Sequence, residues 1–423
     1  MITLALDNPS TKEWQQGWKL ILASLIGFGF YSVLIYSMGL FMGPLSDEFG
    51  WSRSQISTGM SISAILSIPL SPVVGAMIDR WGSRKLALPG LILMTGAISA
   101  LSITNGSLTQ WWVLWTICAL CGLGVKATIW IAAVSGVFTT SRGLALAIVM
   151  TGAAFAQIIV PPTAQWLIAE FGWRLAWIGL ALGWGVPSFI LSYLFLFDAH
   201  DRKRNSAQEA EKVAPPDLEG LTVKQAARDR NLWLIAGSTI IMMMLTVGVL
   251  VHQVPLLTDV GLSREDAAWL ASISGIGGIV GKLVTGYLMD RSNPNFVGGA
   301  TMGVASLGFL FLMEPFRSMP VIVGCAFIIG YSSGAKLQIT AFLTGRYAGM
   351  KHFGTIFGVM SSLITVGSAI GPFLAGAIYD HYGSYDMLLN IGVVGALCAG
   401  TALTILGKQP DWSVATTAKA QSS

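Results

Sequence analysis

The chain has 423 residues, of which 53% are hydrophobic and only 11% charged, whereas a soluble domain carries about 25% charged residues. Apolar runs long enough to cross roughly 30 Å of hydrocarbon recur from end to end, which excludes a separate soluble domain. The net charge of +4 is explained by loop topology, so nucleic-acid binding is not expected.

Hydropathy places six spans at about 18–42, 54–78, 86–105, 111–138, 143–168 and 174–197. The first follows Lys12 and Lys19, is too long for a signal-peptide core and reads as a retained span. A polar stretch then holds Arg202, Lys203, Arg204 and the Pro215-Pro216 break, and reads as a cytoplasmic linker. Six more spans follow at about 232–257, 267–289, 297–316, 319–345, 353–379 and 385–407. The expected fold is all-α: a polytopic membrane protein of twelve transmembrane helices in two pseudo-symmetric six-helix bundles. Its parts are an N-terminal bundle (1–197), the linker (198–231), a C-terminal bundle (232–408) and a cytoplasmic tail (409–423). Cys118, Cys121, Cys325 and Cys398 all lie in apolar runs and read as packing residues.

Orientation follows from the basic residues. With both termini inside, Arg80, Arg84, Lys85, Arg142, Arg291, Arg346, Lys351, Lys408 and the linker's cations are cytoplasmic. Only Arg53, Arg174, Arg264 and Arg317 fall outside, as the positive-inside rule demands of a cytoplasmic-membrane protein.

The halves echo each other. Leu45-Ser-Asp-Glu-Phe-Gly-Trp-Ser-Arg53 is matched by Leu257-Thr-Asp-Val-Gly-Leu-Ser-Arg264, and the interval from Ser52 to Asp79 equals that from Ser263 to Asp290. Such a parallel repeat predicts two bundles around a central cleft.

Three cations, Lys126, Lys282 and Lys336, lie well inside spans, and no Asp or Glu does. A charge at mid-membrane costs about 2.5 to 3.5 kcal/mol, so unbalanced lysines call for a watery cavity or a bound anion. Trp130 stands one turn from Lys126, and Thr340 one turn from Lys336. Tyr31 and Gln157 add hydrogen-bond donors. These seven residues form the expected substrate-binding set, and the plainer reading of each is bundle packing. His252, near the outer end of span seven, suits proton coupling, or else a bond to a carbonyl freed by Pro255. Asp79, Arg80, Asp290 and Arg291 sit at inner span ends, where they would serve as gates or simply set topology. No nucleophile–base pair, metal-ligand cluster or phosphate loop is visible, so neither catalysis, a metal nor a cofactor is expected.

Gly75-Ala-Met-Ile-Asp-Arg-Trp-Gly-Ser-Arg-Lys85 resembles the loop signature between the second and third helices of major facilitators. Arg142-Gly-Leu-Ala-Leu-Ala-Ile-Val-Met-Thr-Gly152 is similar to the start of helix five in the monocarboxylate-porter and oxalate-exchanger branch. In the segment resembling Gly281 to Arg291, relatives carry an arginine that grips the substrate carboxylate. Here Lys282 keeps the charge without the planar fork. The resemblance implies secondary active transport of a small organic anion by alternating access, with a dicarboxylate or aromatic acid favoured by three lysines. Anion entry opposes a negative interior by about 2.3 kcal/mol per charge per 100 mV, so a proton or counter-anion is the expected partner. Proton-coupled uptake by a monomer is the first reading. Obligatory anion exchange is the second, and a ligand sensor that does not transport is the third.

Overall fold

Two serines at repeat-equivalent positions start two long helices in the same way. Ser52 accepts the Gln55 backbone N–H at 3.3 Å, and the Gln55 side chain accepts the Ser52 N–H at 3.0 Å. Ser263 accepts the Asp266 N–H at 3.0 Å and donates to the Asp266 carboxylate at 2.7 Å. Each cap satisfies N–H groups that the first helical turn leaves unpaired.

The computed structural model describes residues 9–135, 137–138, 141–197, 220–313, 316–349 and 351–410. The basic run at 202–204, the Pro215-Pro216 break and the tail beyond 410 lie outside the described residues. The helices are α1 (Pro9–Tyr31), α2 (Val33–Phe49), α3 (Arg53–Trp81), α4 (Ser83–Ala100), α5 (Leu108–Gly122), α6 (Ala127–Ser135), α7 (Arg142–Met150) and α8 (Gly152–Phe195). They continue as α9 (Val223–Ala226), α10 (Arg230–Asp259), α11 (Arg264–Arg291), α12 (Pro294–Gly303), α13 (Ala305–Phe311), α14 (Met319–Ala348), α15 (Phe353–Tyr382) and α16 (Asp386–Thr404).

Among the described residues, 11 helical stretches are long and apolar enough to cross a membrane. The longest, Leu144–Phe195, has 52 residues and is not one rod. Gly172 inside it takes φ 77° and ψ 161°, a conformation open to glycine because it lacks a Cβ. The helix is interrupted there, so this stretch supplies two spans and the total is the expected twelve.

The chain gathers into two compact units. Among the described residues, the first holds those up to 197 together with Leu250–Ser272, so the end of α10 and the start of α11 pack with first-repeat helices. The second holds 220–249 and the described residues from Ile273 onward. The expected bundles follow sequence order, and the compact units depart from it over Leu250–Ser272.

Lipid offers no hydrophobic drive for helices to associate, so close contact between small residues carries much of the packing. In the first unit, Gly152 sits against the Leu25 carbonyl, and Gly124 lies against the Gly90 backbone. Buried Trp111, Trp115 and Trp177 fill the wider gaps, with Phe41 stacked on Trp177 at 3.6 Å. In the second unit, α11 and α14 meet backbone to backbone. Gly277 faces the Phe327 carbonyl, Gly281 that of Tyr331, Gly330 that of Ser274 and Gly334 that of Gly278.

Candidate functional site

Span four does not run through Lys126 as an unbroken helix, as its sequence suggests. α5 ends at Gly122, a tight turn covers Leu123–Val125, Lys126 is extended (φ −65°, ψ 155°), and α6 begins at Ala127. Gly122 and Gly124 weaken the helix here, and Gly124 is held against Gly90. The Val125 carbonyl freed by the break accepts the Trp130 indole N–H at 2.9 Å.

The break aims Lys126 at α3. Its Nζ donates to the Ser71 hydroxyl at 2.5 Å, and Ser71 in turn donates to the Ser67 carbonyl at 2.5 Å. The Tyr31 side chain is a polar neighbour of that of Ser67. Tyr31, Ser67, Ser71 and Lys126 therefore form one polar cluster built from α1, α3 and the interrupted span. Lys126 is half-buried, and among the described residues it forms no ion pair.

Two other expected ligands in this unit occupy packed positions. Trp130 is fully buried, its ring over Gly27 and its N–H used at the helix break. Gln157 is buried on α8, beside an Ile158 carbonyl that accepts the Ser272 hydroxyl at 2.6 Å.

In the second unit Lys336 lies inside the unbroken α14 and is only 5% exposed. Its Nζ donates to the hydroxyls of Thr246 on α10 and Ser333, the latter at 3.0 Å. Lys282, half-buried on α11, is close enough to Lys336 for the two charges to interact. The glycine contact between α11 and α14 brings them together. Thr340 is fully buried, donating to the Lys336 carbonyl at 2.8 Å and bonded to Thr239 at 2.7 Å. Its hydroxyl thus ties α14 to α10.

His252 is fully buried, with Nε2 3.0 Å from the Ser57 hydroxyl, which itself lies 2.8 Å from the Arg53 carbonyl. Ser57 lies on α3. Arg80 is exposed beside the Trp81 ring, while the side chain of Asp79 lies outside the described residues. Asp290 and Arg291 are exposed at the end of α11, and Arg291 lies over the Tyr287 ring at 4.1 Å.

Each of the four arginines expected on the outer face is paired with an acid. Arg53 meets Asp259 at 2.9 Å, Arg174 meets Glu48 at 2.6 Å, Arg264 meets Asp47 at 3.5 Å and Arg317 meets Asp386 at 3.1 Å. Sequence reasoning missed Ser67, Ser71, Thr246 and Ser333. The i, i+4 spacing of Ser67 and Ser71 places them on one helix face, but hydroxyl residues at such a spacing are too common in membrane helices to single out.

Comparison with known proteins bears on this arrangement. The family model of the Major Facilitator Superfamily matches residues 20–257 and 246–422. An MFS-type transporter of Gibberella moniliformis is 25% identical over 394 residues, covering 90% of this chain and 91% of its own. Monocarboxylate transporter 12 of Rattus norvegicus is 25% identical over 404 residues, covering 89% and 82%. Among solved structures, a bacterial homologue of the human lysosomal transporter Spinster, inward-facing and unoccupied, superposes with a TM-score of 0.65. It shares 15% identity and covers 92% of this chain and 93% of its own, which supports the fold. With its twelve spans and a family match over nearly its whole length, the chain belongs to the major facilitator superfamily, and within it resembles the monocarboxylate-transporter-like branch.

Proposed function

We propose that this membrane transporter carries a small organic anion, a carboxylate, by alternating access. The observation that carries the reading is that, among the described residues, Lys126 and Lys336 donate to neutral hydroxyls and to no carboxylate. Hydroxyls orient an ammonium without neutralising it, so each site keeps its positive charge for a guest. Lys282 beside Lys336 adds a second positive charge in that unit, which favours a dianion or an acid with a second polar group. The naming of relatives as monocarboxylate transporters agrees with the charge type.

Tyr31, next to Ser67 in the Lys126 cluster, is the natural hydroxyl donor to the carboxylate, with Gln157, Trp130 and Thr340 shaping the surroundings. Asp79, Arg80, Asp290 and Arg291 serve the cytoplasmic gate, with both termini inside and the protein acting as a monomer. Uptake is coupled to a proton carried by the substrate or by His252. Obligatory exchange is the alternative where a counter-anion balances the charge instead.

The test is counterflow in proteoliposomes containing purified protein. Thermal shift against a panel of mono-, di- and aromatic carboxylates comes first, followed by uptake of the labelled responder. Saturable exchange that is lost in both Lys126→Gln and Lys336→Gln supports the reading. Anion transport intact in both variants overturns it, and binding without any counterflow would mark a sensor.

A further inference from the structure

The repeat in the sequence has a counterpart at one end of the first unit. Counting from Leu45 and Leu257 makes Asp47 and Asp259 equivalent, and the two helix starts make Arg53 and Arg264 equivalent. The structure pairs them crosswise. Arg53 of the first repeat grips Asp259 of the second through two bonds of 3.0 and 2.9 Å. Arg264 of the second repeat reaches Asp47 of the first at 3.5 Å.

Helix electrostatics do not explain these positions. Arg53 and Arg264 open α3 and α11, where the helix dipole disfavours a cation, and Asp47 and Asp259 close α2 and α10, where it disfavours an anion. All four charges sit at the end that suits them least, so their pairing is what accounts for the placement. The backbone is shaped around the pairs as well. A Cβ at Gly43 would lie 2.7 Å from the Arg264 guanidinium, and Gly39 is pressed against the Val251 carbonyl. His252, one residue on, bonds to Ser57 one turn beyond Arg53.

We infer that Arg53–Asp259 and Arg264–Asp47 form a crossed latch that holds Leu250–Ser272 on the first-repeat helices, and that its release exposes this face of the transporter. The inference rests on the alternating-access reading. The two pairs contribute unequally. Arg53–Asp259 is bidentate, with its side chains 18% and 31% exposed, while Arg264–Asp47 is a single contact with side chains 47% and 74% exposed and is more screened by solvent. Arg53–Asp259 is therefore the principal bolt.

The experiment reads access rather than transport, so it stands whether or not the cargo is an anion. Cys118, Cys121, Cys325 and Cys398 are replaced by alanine, and one reporter is introduced, Val251→Cys, at a fully buried position. The rate of labelling of purified full-length protein by a fluorescent maleimide is then measured. Arg53→Asp, or Asp259→Arg, should raise that rate about tenfold, and the double exchange should bring it back toward the starting rate, as coupled charges require. A second reporter, Ala396→Cys, fully buried in the second unit, should not respond. Unchanged labelling at Val251→Cys in both single variants, a double exchange no slower than the singles, or an equal rise at Ala396→Cys would each overturn the latch.

Discussion

Ser71 accepts a hydrogen bond from the ammonium of Lys126 at 2.5 Å while its own hydroxyl donates to the Ser67 carbonyl. Because that proton is committed, Ser71 can only accept from Lys126, and it fixes the direction in which the ammonium points. Ser71→Ala should therefore leave the charge in place but misaim it. Hydrogen bonds to charged groups contribute about 1.5 to 3 kcal/mol, and Lys126 is half-buried, so the expected loss of anion affinity is roughly tenfold at most, with Tm nearly unchanged. Lys126→Gln should abolish the anion-dependent thermal shift, and titration of both variants with the responding carboxylate checks the order.

Lys336 gives a prediction of opposite sign for stability and function. It is almost fully buried, and among the described residues it has no carboxylate partner. A mid-membrane charge costs about 2.5 to 3.5 kcal/mol, partly offset by the Thr246 and Ser333 hydroxyls. Thr246 keeps a bond to the Met242 carbonyl without Lys336, so Lys336→Met should raise Tm in the absence of substrate while removing the anion response. A fall in Tm would show that Lys336 is there for structure.

The glycine seam between α11 and α14 separates packing from propensity. A Cβ at Gly330 would collide with the Ser274 carbonyl, whereas one at Gly324 in the same helix meets nothing within 4 Å. Gly330→Ala should destabilise by about 1 to 3 kcal/mol through forced separation. Gly324→Ala should stabilise by about 0.5 to 1 kcal/mol, the ordinary helical preference. Thermal unfolding of the two variants in one detergent tests the contrast.

Features decided by local chemistry were legible in the sequence. The number and length of the spans depend on apolar runs that can be read directly along the chain, and the structure has helices long and apolar enough to cross a membrane there. The break at Lys126 was not legible, because Gly122 and Gly124 are tolerated inside many helices and only the contact with Gly90 and the Trp130 indole show why this span opens there. Nor was the end of the linker. Composition reads 198–231 as loop, yet Gly220 bridges to Gly349, the Leu221 N–H bonds to the Ala348 carbonyl at 2.7 Å, and Thr222 with Gln225 makes a capping box. The Thr222-Val-Lys-Gln225 spacing is a visible capping signal, but its docking partner lies more than a hundred residues away. The ion pairs of Arg53, Arg174, Arg264 and Arg317 fall in the same category: the charge pattern puts these arginines in loops of one expected side, and only the folded chain matches each to its acid.

The two repeats mount their inner cations differently. Lys336 is built into a 30-residue rod and is displaced only when that rod is. Lys126 stands on one extended residue between two short helical pieces, so a change in its two backbone torsions moves its charge by turning α6 relative to α5. One half of the protein thus offers a stationary charge and the other a steerable one, an asymmetry of stiffness that the near-matching sequences conceal.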